Sequence, residues 1–235
     1  RCGIIVCLNM NQLEYIMSKI RKTTQYLMPV SRKKPGALDY DIYPVHDLGD
    51  GTVSSDFSEL AARIPERGTV IVDGYVGVRF DEFVSSLNEA LSAVGKTALW
   101  WSVDSALKSP AEIDKMIEPF LGGDDPRFGY RARLELKDFC AGAKLASIKA
   151  DASAPLNIIY GIGASLAGWE GTLIYLDIPK NEIQFRSRAG SVRNLGAAAP
   201  DAPKKMYKRF YFIDWVVLNR HKKALMPEID IFVDA

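Results

Sequence analysis

The sequence is short of the residues that build metal centres, disulfide frameworks and membrane spans. Its 235 residues include two histidines, His46 and His221, and three cysteines, Cys2, Cys7 and Cys140. An odd number of cysteines without a CxxC pair argues against disulfides or a zinc ribbon and favours a reducing compartment. No apolar run approaches the roughly 20 residues that a membrane helix needs. We therefore expect a cytoplasmic protein with no membrane partner and no metal site in this chain.

The chain also lacks an excess of charge of one sign. Lysine and arginine number 30 against 29 aspartate and glutamate, which leaves a net charge of +1. Such a balance creates no field that draws a protein to nucleic acid, so we expect no nucleic-acid partner. Hydrophobic residues make up 48% of the chain. That fraction is ordinary for a globular protein with a core of its own.

The patterning of the chain changes near residue 39. Residues 1–38 are poorly patterned and contain the basic stretch Ser31–Gly36, so they are predicted to be a leader or linker. Residues 39–235 are predicted to form one domain. The chain begins with Arg1 instead of a methionine and stops one residue after a predicted strand, Glu228–Asp234. We therefore expect it to be the front part of a longer protein.

Strands and helices alternate along the predicted domain. Thr69–Val72 is a β-branched run typical of a strand that is buried on both faces, and apolar residues recur with helical spacing from Phe80 to Val94. Further strands are predicted at 97–103, 156–160 and 172–176, and further helices at 57–64, 110–120 and after Pro179. This order predicts an α/β fold, a doubly wound and mainly parallel sheet. Tyr207–Val217 is predicted to be a buried strand, followed by a basic helix start that contains His221.

The loop after the first of these strands has the layout of a phosphate cradle. Ligands of parallel sheets bind beyond the carboxyl ends of the strands, where a glycine-bearing loop leading into a helix presents N–H groups to an anion. Gly74, Gly77 and Arg79 are therefore predicted to bind phosphate. A working P-loop also needs Lys followed by Ser or Thr, and Phe80 and Asp81 stand at those positions. The alternative is an ordinary strand-to-helix turn.

Two other strand ends carry candidate ligand groups. Asp104 follows the second strand and is the candidate catalytic residue, able to bind a hydroxyl or act as a base. Gly161, Gly163 and Ser165 follow the next strand, and the two glycines allow the backbone to approach a ligand closely. A turn or helix-capping role is the alternative for Asp104.

Arginines are concentrated in the helix after the fourth strand. Arg186, Arg188 and Arg193 lie within about two helical turns, so at least two are expected to face one cavity. Arg186 and Arg188 are predicted to bind a phosphate, for which the arginine fork is suited. A solvated basic face is the alternative. For His221, the alternatives are a sugar-phosphate contact and a solvated helix start.

Taken together, these elements resemble the uridine-kinase-like branch of the P-loop kinases. A strand with a P-loop-like turn precedes a strand that ends in Ser-Val-Asp, and a strand that ends in Tyr-Gly-Ile-Gly precedes LIYLDIPKNEIQFRSR. The resemblance implies that Asp104 serves an acceptor hydroxyl and that Arg186 and Arg188 belong to a lid helix. Phe80 and Asp81 depart from the family pattern, which implies that phosphoryl transfer is lost.

A second resemblance covers the chain from about residue 40 to its end. The segments YDIYPVHDLG, GASLAGWEGTLIYLDIPKNEIQFR, SVRNLG and YKRFYFIDWVVLNRHKKALMPEIDIFVD are similar to the leading domain of long bacterial class I mannose-6-phosphate isomerases. That family places a degenerate kinase-like domain before a zinc-binding cupin domain whose ligands begin with Gln-x-His. No Gln-x-His occurs in this chain. The resemblance implies a zinc cofactor in a following cupin domain and none in this chain.

Three functions remain open at this point. The first is a non-catalytic phosphosugar-binding or structural domain of an isomerase-type protein of carbohydrate metabolism, with a sugar phosphate and the cupin domain as partners. The second is an active nucleoside or sugar kinase in which Arg79 replaces the missing lysine. The third is a docking domain without a ligand.

Overall fold

The computed structural model describes residues 20–23, 25, 36, 51–125 and 127–235, and the backbone of residues 4–7. Most of the predicted leader and the motif YDIYPVHDLG therefore lie outside the described residues, as does His46. Within the predicted leader, Ile4–Cys7 forms a strand of the main sheet.

Seven strands form one sheet in the order β2-β1-β7-β6-β3-β5-β4, and every pairing between them is parallel. The strands are β1 (Ile4–Cys7), β2 (Thr52–Ser54), β3 (Gly68–Gly74), β4 (Ala98–Ser102), β5 (Leu156–Tyr160), β6 (Thr172–Asp177) and β7 (Ile231–Asp234). The helices are α1 (Phe57–Arg63), α2 (Phe80–Ala93), α3 (Pro110–Ile117), α4 (Gly142–Ser147), α5 (Lys180–Ala189), α6 (Pro203–Arg209) and α7 (Trp215–Leu225). Short 3-10 segments follow β4, α3 and β5, and one precedes α4.

Alternating side chains of the strands build two separate apolar layers. Val70 and Val72 of β3 pack on one face against Leu87 and Leu91 of α2. Ile71 lies in the layer on the opposite face, which includes residues of the 3-10 segments after β4 and β5. Because both faces are covered, the sheet is doubly wound, and the predicted α/β class with a parallel sheet is confirmed.

A third apolar cluster covers the carboxyl edge of the sheet. It joins the loop after β3, through Tyr75 and Val76, to α3, α5 and the α6–α7 region. Both loop residues are buried. The edge at which ligands of parallel sheets usually bind is thus filled here by side chains of the protein.

The segment predicted as a strand at 207–217 is helical, so that prediction is wrong. It comprises the end of α6, a π-helical segment at Phe210–Asp214 and the start of α7. Aromatic and β-branched residues favour strands, which explains the error. Tyr207 and Tyr211 are four residues apart, and their ring centroids lie 6.3 Å from each other. Residues with this spacing are neighbours on one face of a helix.

Candidate functional site

Asp73, at the carboxyl end of β3, is fully buried. Its carboxylate accepts three backbone hydrogen bonds. The amides of Gly74 and Gly163 donate to Oδ1 at 2.7 and 2.8 Å, and the amide of Ser165 donates to Oδ2 at 3.1 Å. These amides belong to the two turns that were predicted to hold a phosphate. An internal carboxylate therefore occupies the position of the expected anion.

Two side chains complete the shell around Asp73. The Ser165 hydroxyl donates to Oδ2 at 2.6 Å, and Nε2 of His221, whose side chain is almost wholly buried, lies 2.9 Å from the same oxygen. Burial alone would raise the pKa of Asp73. The hydrogen bond and charge of His221, with the bonds from Ser165 and Gly163, outweigh that effect and hold the pKa below its usual value.

The Asp73, His221 and Ser165 side chains do not form a nucleophile–base relay. A relay needs the histidine to contact the carboxylate through one ring nitrogen and the hydroxyl through the other. Here Nε2 of His221 faces both groups, at 2.9 Å from Asp73 and 3.3 Å from Ser165, and the serine hydroxyl donates to the carboxylate. The cluster ties β3, the turn after β5 and α7 together.

The loop Gly74–Gly77 has no open cradle. A Cβ atom on Gly74 would lie 2.7 Å from the Leu176 carbonyl oxygen and 3.0 Å from the ring of Phe80, so that ring closes over the start of the loop. The Tyr75 hydroxyl, deeper in the loop, donates to Oδ1 of Asn219 at 2.8 Å. Phe80, which stands at the sequence position of the P-loop lysine, thus packs against the start of the loop.

The arginines nearest this loop bind groups of the protein. Arg79 pairs with Glu82. Arg186 donates to Glu182 at 3.0 Å, to the Gly77 carbonyl at 2.9 Å and to the Ala235 carbonyl at 3.2 Å. Arg186 therefore reaches the predicted loop, but it stabilises the backbone there and does not present its guanidinium to a cavity.

Asp104 lies apart from the Asp73 cluster, beyond the end of β4. Its side chain is 54% exposed, and its nearest cation is Arg193, at 3.8 Å. A Cβ atom on Gly161 would lie 3.4 Å from Oδ1 of Asp104, so the second and third strand ends do meet. Partial burial raises the pKa of Asp104, while the charge of Arg193 lowers it and that of Asp81 raises it further. The carboxylate is free to accept a hydrogen bond from a hydroxyl in solution.

Arg188 lies in a different place, an open cleft of about 790 Å³ between α5, α6 and residues 127–128. We call this the α5–α6 cleft. Three more cations line it: Arg127, Lys204 and Lys208. Its volume falls within the range of small-molecule sites. Arg186 and Arg188 were expected to share a cavity, but two positions apart on a helix they point to different sides.

Aromatic side chains form the other part of the α5–α6 cleft. Phe128, Tyr207 and Tyr211 line it and are substantially exposed. None of the three was predicted as a site residue, and the two tyrosines lie in the segment that was interpreted as a strand. The repeated spacing of Tyr207, Tyr211 and Trp215, four residues apart, is the helical signal that reveals a shared face.

The described part of the chain lacks a metal-binding cluster and a membrane-spanning helix. Among its residues, no three His, Cys, Asp or Glu side chains lie together in a way that could hold a metal ion. None of its helices is long and apolar enough to cross a membrane.

Comparison with known proteins places the chain in a family. The model of a domain of unknown function, DUF8485, matches residues 56–235. The chain belongs to this family. Curated proteins give no match.

Among solved structures, one neighbour comes from Silicibacter sp. TM1040 and is described as a proposed fructose transport system kinase. It is 15% identical, and the alignment covers 76% of this chain and 99% of that one, with a TM-score of 0.43. At this level the likeness concerns the course of the chain and carries no conclusion about activity.

Proposed function

We propose that this chain is a non-catalytic domain that binds a sugar phosphate in the α5–α6 cleft. The observation that carries the proposal is that the Asp73 carboxylate accepts hydrogen bonds from the amides of Gly74, Gly163 and Ser165. A phosphate at the same edge would have to displace a buried carboxylate and its histidine partner, which is costly. Arg188, by contrast, is exposed, and among the described residues it makes a 3.5 Å hydrogen bond with Gln184.

The resemblance to the isomerase family supports a wider form of the proposal. In it, the chain is the leading, kinase-like domain of a cytoplasmic mannose-6-phosphate isomerase-type protein of carbohydrate metabolism. The zinc-dependent isomerase site then belongs to a cupin domain, with which this domain packs. The clustered cations of the α5–α6 cleft would recognise the phosphate group that such a protein handles.

Titration calorimetry tests the proposal. Mannose 6-phosphate should bind the wild-type chain, and Arg188→Ala should weaken binding about tenfold, as the loss of one charge-assisted contact implies. Arg67→Ala, an exposed arginine just before β3, is the matched control and should leave binding unchanged. Mg-ATP should not bind at micromolar concentration, because Phe80 and the acidic Asp81 stand where a lysine and a hydroxyl are needed.

A small-molecule kinase is the second candidate, and two observations favour it. Nη1 of Arg79 is buried without a hydrogen-bond partner among the described residues, beside the loop after β3. Asp104 is open to an acceptor hydroxyl. Micromolar Mg-ATP binding that is lost in Arg79→Ala, together with phosphoryl transfer that is lost in Asp104→Asn, would replace the proposal above with this one.

A further inference from the structure

The two tyrosines that line the α5–α6 cleft pack against a buried side chain. Tyr207 is 43% exposed and Tyr211 54% exposed, with their ring centroids 6.3 Å apart. The buried Trp215 lies behind both, at 5.8 Å from Tyr207 and 6.4 Å from Tyr211. Because a buried ring backs them, the two tyrosines hold fixed faces toward the cleft.

The backbone beneath these rings is irregular. Phe210–Asp214 is π-helical, which shifts the residues that follow relative to a regular helix, and Phe210 stacks on Trp215 at 5.8 Å with an interplanar angle of 11°. Single π-helical turns within α-helices are rare and are frequently found at functional sites. This turn lies directly under Tyr211.

Basic residues lie among the aromatic ones in the cleft, and one of them is held in place. Lys208 donates to the carbonyls of Gly123 and Asp125, which fixes the loop that carries Arg127 and Phe128. Phe128 is 70% exposed. Among the lining residues that the structure describes, none is acidic. Arg188 and Lys204 therefore face the cleft without a carboxylate in its wall.

Fixed aromatic faces beside clustered cations match one class of ligand better than a sugar phosphate alone. Cations account for a phosphate, but they leave the exposed rings without a role. A planar base stacks on a tyrosine face, whichever base it is. We infer that the α5–α6 cleft binds a nucleotide, with its phosphate on Arg188 and its base on Tyr211. The inference rests on the proposed function, in which the cleft binds phosphate.

Three ligands separate the inference from the proposal on which it rests. Wild-type protein is titrated with mannose 6-phosphate, with adenosine and with adenosine 5′-monophosphate. The nucleotide should bind about tenfold tighter than either of the others, because only it engages both the cations and the aromatic rings of the cleft. Equal affinity for the nucleotide and the sugar phosphate would overturn the inference and leave the proposed function intact. If neither phosphate compound binds, both fail.

Variants of the tyrosine test the stacking contact. Tyr211→Leu should weaken nucleotide binding about tenfold without changing the affinity for mannose 6-phosphate, and Tyr211→Phe should bind as the wild type does. Tyr130→Leu is the matched control, since Tyr130 is 69% exposed and does not line the cleft. Nucleotide binding that is unchanged in Tyr211→Leu would contradict the inference.

A last titration distinguishes two sources of the same chemistry. A single-stranded hexanucleotide offers the same bases and phosphates as a mononucleotide. The cleft, at about 790 Å³, has the volume of a small-molecule site, so the hexanucleotide should bind no more than about tenfold tighter. A larger gain would overturn the assignment of a free nucleotide and point to single-stranded nucleic acid.

Discussion

The carboxyl edge of the sheet around Asp73 and the α5–α6 cleft both contain charged side chains. These bind other groups of the protein at the edge and face solvent in the cleft. At the edge, each polar group of the Asp73 cluster binds another protein group, and apolar side chains cover the loop after β3. In the cleft, Arg188 and Tyr211 face solvent. The two regions share one helix, α5, which presents Arg186 to the edge and Arg188 to the cleft. Residue type alone does not make a binding site. The side chain must also be free of bonds to other groups of the protein.

The largest effect expected is on the edge. Asp73→Ala leaves three amides, a hydroxyl and His221 without their acceptor, and it should lower the free energy of unfolding by about 3–5 kcal/mol. Urea denaturation measures the change. Asp104→Ala is the control: it removes a half-exposed carboxylate and should change stability by less than about 0.5 kcal/mol. If the two variants were equally stable, the edge would not be held together by Asp73.

A buried carboxyl between the two regions gives a pH-dependent test. Burial raises the pKa of Asp214 to about 6, opposed by the charge of Arg209 and by bonds from Asn194 and Leu195. A folded-state pKa above the unfolded value of 3.8 means that the neutral form favours folding, so stability falls as pH rises from about 4 to 6. Asp214→Asn should remove this slope and stabilise the protein at pH 8 by up to about 3 kcal/mol.

Thermal or urea unfolding at several pH values checks the sign. The variant and the wild type should converge below pH 4 and separate above pH 6. A wild type that gains stability between these values relative to Asp214→Asn would contradict the assignment. The comparison isolates Asp214, since the variant keeps an oxygen for the Asn194 and Leu195 donors.

The smallest expected change in the free energy of unfolding distinguishes Arg186 from Arg188, both of which lie in α5. Arg186→Ala removes bonds to Glu182 and to two backbone carbonyls, so it should cost about 2 kcal/mol. Arg188→Ala should leave stability within about 0.5 kcal/mol and affect ligand binding alone. The same unfolding assay on both variants decides the matter. Equal losses would mean that Arg188 is also a structural residue.

Local sequence patterns were enough for most of the fold. The β-branched run Thr69–Val72 and the helical spacing from Phe80 appear in the structure as the core of β3 and as α2. The helix predicted over 110–120 appears as α3, and Ser109 and Glu112 form a capping box at its start. Each of these signals is complete within a few residues, which is why a single sequence reveals it.

The candidate site was harder to predict from the sequence, because the residues that meet there are distant in the chain. Asp73 meets the turn after β5 some 90 residues later and His221 148 residues later. No local sequence pattern predicts that a carboxylate at the end of a strand accepts hydrogen bonds from the amides of a glycine-bearing turn. The sequence predicted a phosphate ligand beside these glycines, whereas the structure shows that the Asp73 carboxylate accepts bonds from the amides of Gly74 and Gly163.

The most direct test of the account is a ¹H–¹⁵N correlation spectrum of the labelled chain titrated with mannose 6-phosphate. The account predicts shift changes for the amides of Arg188, Lys204 and Lys208 in the α5–α6 cleft. It predicts no change for Gly74, Gly163 and Ser165, whose amides already bind Asp73. Shifts confined to those three amides, with the cleft unchanged, would contradict it and place the phosphate at the carboxyl edge of the sheet.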